Sequence, residues 1–190
     1  MNISPDSEDA RMLVQTLHRL FFAIKPAMHA IPAIEAARRL HCPGRPVRSE
    51  HLHVTMEIFN DHIGLPERLV DRLIAVGNDI DMPGFLLSMG RVVGTTRSVA
   101  LRPNGRSTGL ALLQRAIRKR VTEAELEPRD GWTFNPHMTL GYRDDSAFSR
   151  AIDPILWQVE ELVLVHSHVG ETRHDVIGRW MLSPELPLFQ

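Results

Sequence analysis

Strand-period segments outnumber helical ones along this chain, and the two kinds do not alternate one for one. RLFFAI, from Arg19 to Ile24, is a short apolar run that stops at Lys25-Pro26. Met28, Ile31, Ile34, Ala37 and Leu40 then recur at helical spacing. They predict an amphipathic helix ending on Arg38-Arg39, where cations complement the dipole, and HCPGRP breaks it. HLHVTMEIF alternates as a strand, with His51, His53, Thr55 and Glu57 on one face. A second helix runs from Gly64-Leu65-Pro66 to Gly77-Asn78. GFLLSMGRVV and RSVALRP read as strands, Asn104-Gly105 as a turn, and Ser107 or Thr108 as the cap of a third helix. FNPHMTLGY, QVEELVLVHSHVG and DVIGRWML close the chain as three more strands. Without steady βαβ alternation, the class is α+β.

The unit of strand, helix and His-x-Thr strand occurs twice, so the chain reads as two related halves. At 190 residues with no linker, residues 1–190 read as a single domain with two lobes, after a partly flexible polar leader over 1–17. The composition, 43% hydrophobic and 24% charged, is that of a globular protein rather than a disordered one. No apolar run is long enough to span a bilayer, and MNISPDSEDA is polar and acidic, unlike a signal peptide. Cys42 is the one cysteine, so no intramolecular disulfide can form and a cytoplasmic setting is expected. A net charge of −1 argues against a general polyanion binder, although twenty of the 22 basic residues are arginine, whose planar fork suits phosphate.

The two His-x-Thr stretches are HLHVTM and PHMTLGY, with His53 and His137 84 positions apart. In a strand, residues i and i+2 share a face, so His53 projects with Thr55 and His137 with Thr139. Two such strands side by side across a cleft would gather two imidazoles and two hydroxyls. Hydroxyls donate to phosphate oxygens. A neutral histidine can take a proton from attacking water while a protonated one gives a proton to the leaving oxygen, and histidine suits both near neutral pH. The pattern leaves open which histidine does which, and it calls for no metal or other cofactor.

HRLFFAIKP, HLHVTM, FNPHMTLGYR, LVLVHSHVG and GRWML together resemble the 2′-5′ RNA ligase family, in its RNA 2′,3′-cyclic phosphodiesterase branch among the two-histidine phosphoesterases. The resemblance runs from Arg19 to Leu182. It implies a bilobal fold in which two antiparallel sheets form a central cleft, with helices outside and one HxTx motif on each sheet. It also implies metal-independent hydrolysis of 2′,3′-cyclic phosphate ends of RNA or nucleotides to a 2′-phosphomonoester, with reverse 2′-5′ RNA ligation as the accompanying activity. Carried over, His53 is the acid, His137 the base, and Thr55 and Thr139 the phosphate ligands. RNA 3′ ends or cyclic nucleotides are then the partners, with no membrane and no obligate protein partner.

Some members of that family carry an arginine five residues after the second histidine. Here Tyr142 stands there and Arg143 follows, and on a regular strand that offset turns a side chain to the other face. Arg143, Tyr142 and Phe59 are therefore further candidates for substrate contact, beside Phe134 and Trp132 as base-stacking rings and Arg97, Arg102 and Arg106 as backbone contacts. His51-x-His53 and His166-x-His168 have the spacing of strand-borne metal ligands, yet no HExxH, acid cluster or cysteine pair accompanies them. His166 and His168 should share one face of the late strand with Ser167 opposite, and His174-Asp175 return toward the motif strands. The competing reading is an RNA-end or nucleotide phosphate-binding module without turnover.

Overall fold

A computed structural model describes residues 16–184, so most of the expected leader lies outside the described residues. Among the described residues there are ten strands and three α-helices: β1 Leu17–Ile24, α1 Ile31–His41, β2 Arg45–Pro46, β3 Val54–Ile58, β4 His62–Ile63, α2 Glu67–Asn78, β5 Phe85–Gly94, β6 Ser98–Arg102, α3 Thr108–Glu123, β7 Met138–Tyr142, β8 Phe148–Val159, β9 Glu161–Val169 and β10 Arg173–Met181. The protein is α+β, as the segment order predicts. The main hydrogen-bonded order is β10-β9-β1-β3-β7-β6-β5-β8, antiparallel throughout, with β2 added to β7 and β4 to β1. Four strands on each side meet through the single pair Val54↔Met138. Only Glu160 separates β8 from β9, although they lie far apart in that order, so the sheet curls strongly without closing.

One face of the sheet is covered by the helices. Leu20, Phe22 and Ile24 of β1, each 0% exposed, alternate into a core with Ile34 of α1, Leu73 and Val76 of α2, and Leu110, Leu113, Ile117 and Val121 of α3. Each such aliphatic side chain contributes about 1.5–3 kcal/mol on burial. Ser107 caps α3, its hydroxyl accepting from the Leu110 amide. Phe21, Ala23, Val163 and Val165 form a smaller cluster on the opposite face. Among the described residues no helix is long and apolar enough to cross a membrane.

One expectation changes, and one strand is added. QVEELVLVHSHVG is not one strand: it divides at Glu160 into the end of β8 and the whole of β9. β8 itself, FSRAIDPILWQV, has little alternation and carries Pro154. It is tolerated because β8 is an edge strand and Pro154 falls where the β5–β8 register slips, between Met89 and Arg91.

Candidate functional site

The paired segments β1–α1–β3 and β6–α3–β7 end in the two His-x-Thr strands, and both have the same irregularity. The β1–β3 register moves from Ala23↔Thr55 to Phe22↔Glu57, leaving Met56 as an extra residue. The β6–β7 register moves from Ala100↔Thr139 to Val99↔Gly141, leaving Leu140 extra. Each strand thus bulges one residue after its threonine, and a bulge resets which side chains share a face. Thr55 and Ile58 face the cleft together, and so do Thr139 and Tyr142.

These bulges correct the regular-strand expectations. Glu57 does not share a face with His53: it is 0% exposed on the helix side, where Arg118 of α3 donates from Nε and Nη2 at 2.6 and 3.2 Å. Burial raises its pKa, and the Arg118 guanidinium acts in the opposite direction. Phe59, a candidate substrate contact, is 1% exposed in the core against the Phe22 ring. Arg143 is turned away from the cleft, its side chain 7% exposed over the Phe148 ring with Asp145 as ion partner. Tyr142, by contrast, lines the cleft and packs under the Arg45 guanidinium, 5.4 Å from its ring centre.

The join between the halves positions the rest. Val54 and Met138 are the middle residues of the two motifs and pair antiparallel. Carried one residue either way, that register sets His53 across from Thr139 and Thr55 across from His137. His53, Thr55 and Thr139 line a cleft of about 510 Å³ with Phe21, His51, Ser167 and His174, and with Arg45, Arg48 and Tyr142 toward its rim. His137 immediately precedes β7 and is exposed, and its charge is felt at His53.

Both histidines are held in one way. Nδ1 of His53 lies 2.6 Å from the His51 carbonyl, and Nδ1 of His137 lies 2.7 Å from the Asn135 carbonyl. A carbonyl only accepts, so each Nδ1 carries the hydrogen and each Nε2 is left for chemistry. Burial lowers the His53 pKa to about 4, assisted by the charges of Lys25, His137 and His51. His174 reaches His53 and His51, with ring centres 5.6 and 4.5 Å apart, and is lowered to about 4 by burial and by those two histidines.

Ser167 lines the cleft and His166 does not; the His168 ring lies 4.2 Å from that of His166, on one face as their spacing predicts, although His168 also borders the end of the cleft. His51 belongs to a 3₁₀ turn, Ser49–His51, rather than to the strand. Phe134 packs against the core with Trp132 beside it, ring centres 6.3 Å apart. Arg102 donates to Asn135 Oδ1 at 2.9 Å, bracing the loop whose carbonyl holds His137. Arg45 and Arg48 escaped the sequence reading because they sit within and just after the aperiodic HCPGRP, Arg45 in the two-residue β2, where only tertiary structure aims a side chain.

The 2′-5′ RNA ligase superfamily matches residues 26–171 of this sequence, more than half of it. The chain belongs to that superfamily. Among solved relatives, E. coli LigT in its apo form is 27% identical over 88% of this chain and 99% of its own, with a TM-score of 0.69. A second crystal structure, described as a phosphoesterase, is 26% identical over 87% of this chain and 98% of its own, with a TM-score of 0.72. A Thermus thermophilus protein, at 23% identity, TM-score 0.71 and coverage of 88% and 100%, shares the fold. A search of curated proteins found no match. This is therefore a two-histidine phosphoesterase fold, in which the two His-x-Thr strands meet at Val54↔Met138.

Proposed function

We propose that the protein is an enzyme that hydrolyses 2′,3′-cyclic phosphate ends of RNA or nucleotides to a 2′-phosphomonoester, without a metal in the reaction. The observation that carries this reading is the antiparallel Val54↔Met138 pair, which sets the two His-x-Thr motifs side by side, with His53, Thr55 and Thr139 in the cleft and His137 exposed beside them. The cyclic phosphate lies between Thr55 and Thr139, whose hydroxyls donate to its free oxygens. His137 Nε2 takes a proton from water as the water oxygen bonds to phosphorus. The P–O3′ bond breaks, and O3′ receives the proton from His53 Nε2, leaving the phosphate on O2′. Proton exchange with solvent restores the pair, and the same steps reversed give 2′-5′ ligation.

In the free protein His53 is neutral, because burial disfavours its charged form. An anionic phosphate replaces water with a negative charge and raises that pKa, so His53 becomes the proton donor only with substrate in place. E. coli LigT has been solved complexed with 3′-AMP and with phosphate, which supports a phosphate-bearing nucleotide as the occupant here. A buried, free Cys42 fits a reducing, cytoplasmic setting.

The test is a short RNA ending in a 2′,3′-cyclic phosphate, incubated with the protein in EDTA and followed by phosphorus NMR. The proposal expects the cyclic signal to give way to a 2′-monoester, with His53→Ala and His137→Ala each slowing it about 10²–10⁴-fold. Tight binding of unreacted RNA, little changed in either variant, would establish a binding module instead.

A further inference from the structure

At the cleft's outer end lies a second histidine cluster, of which His168 borders the cleft while His18 and His166 do not line it. Val163 and Val165 of β9 join the Phe21 cluster, so the intervening Leu162, Leu164 and His166 project to the helix side, and the His168 ring packs 4.2 Å from that of His166 where the strand reaches the end of the cleft. His18 of β1 is the cross-strand partner of His168, and His166 is that of Leu20. One ring nitrogen from each of His18, His166 and His168 falls within 4.8 Å of the others. His18 Nδ1 and His166 Nε2 are 2.6 Å apart. Two imidazole nitrogens at that distance need something between them, since lone pairs facing each other repel; a single proton or a cation serves.

We propose that His18, His166 and His168 form a binding site for a divalent transition-metal ion of the zinc class, separate from the catalytic pair. Imidazole ligands suit zinc, cobalt, nickel and copper, and three of them with one further donor make a tetrahedral set at about 2.0–2.1 Å per nitrogen. That geometry spaces the nitrogens wider than the present 2.6 Å contact, so His18 and His166 open slightly as the ion enters. Asp175 of β10 accepts from His168 Nε2 at 2.9 Å, the carboxylate–histidine arrangement that fixes a ligand ring and strengthens it as a donor. This leaves Nδ1 of His168 as the ligating atom, with a Glu171 oxygen 4.0 Å from it and able to supply the fourth donor. The ion would tie β1 to β9 and, through Asp175, to β10, the strand that brings His174 to the cleft.

The histidine cluster is independent of the hydrolase reading, and its test does not use activity. The tag-free full chain is titrated with Co²⁺ near pH 7.5 and followed by visible absorption. One equivalent should produce the intense bands of four-coordinate cobalt, displaced by one equivalent of Zn²⁺. His18→Asn and His166→Asn should abolish the bands, Asp175→Asn should weaken affinity about 10–100-fold, and His53→Ala should leave them unchanged. His18, only half-buried, keeps the test decisive if His166→Asn does not fold. The proposal is overturned by a lack of cobalt bands at stoichiometric metal. Bands that persist in the His18 variant, or that depend on His53, overturn it too.

Discussion

His53 and His174 are held at a pKa of about 4, below the 6.5 of an unperturbed histidine, with burial the leading cause in each. Between those values the unfolded chain binds protons that the folded one does not, so stability falls as pH drops from about 6.5 toward 4. The slope is at most about 1.4 kcal/mol per pH unit for each histidine. Thermal unfolding across that window should show the loss, and His174→Asn should flatten it; a Tm flat from pH 7 to 4.5 in the unsubstituted protein would contradict the burial of these rings. The threonines and histidines of the motifs were legible in the sequence because a period of two needs only local geometry. Glu57 was placed on the wrong face, and Phe59 was a candidate contact although it is buried, because a one-residue bulge leaves no mark in composition; the matching bulge in β7 brings the candidate Tyr142 to the cleft. Arg143 was a candidate only through its offset from a family position, and its packing over Phe148 settles that it faces away.

At the scale of elements, α3 and β3 are locked behind the site by Glu57 and Arg118. Removing one partner of a buried pair costs about 3–5 kcal/mol, and Arg118, 42% exposed, puts Arg118→Leu toward the low end of that range. The carboxyl left behind has a raised pKa, so it is protonated more readily folded than unfolded. The destabilisation relative to the unsubstituted protein should be larger at pH 8 than at pH 5, measurable by urea unfolding at the two pH values. Strand β2 crosses β7 where Gly141 leaves no room: a Cβ there would stand 2.6 Å from Cys42 Sγ and 2.7 Å from the Arg45 carbonyl. Gly141→Ala should cost about 1–3 kcal/mol as an overpacked contact, and, by displacing Arg45 and Tyr142, should raise KM more than it lowers kcat. The long β8 was not legible because an edge strand need not alternate and Pro154 sits at its register slip.

Across the whole molecule, the repeated strand, helix and His-x-Thr unit did foretell the architecture: β1–α1–β3 and β6–α3–β7 each deliver a bulged motif strand to a common seam. What the repeat left unstated was how the halves join, since a single antiparallel pair, Val54↔Met138, is specified by the curl of the entire sheet. That join carries the central claim that two histidines serve one phosphorus atom. Single-turnover hydrolysis of a cyclic-phosphate RNA by His53→Ala, His137→Ala and the double variant tests it most directly. Groups that act on the same transition state are strongly non-additive, so the double variant should lose scarcely more than the worse single one. Losses that simply multiply, or a single variant with undiminished turnover, would contradict a shared site.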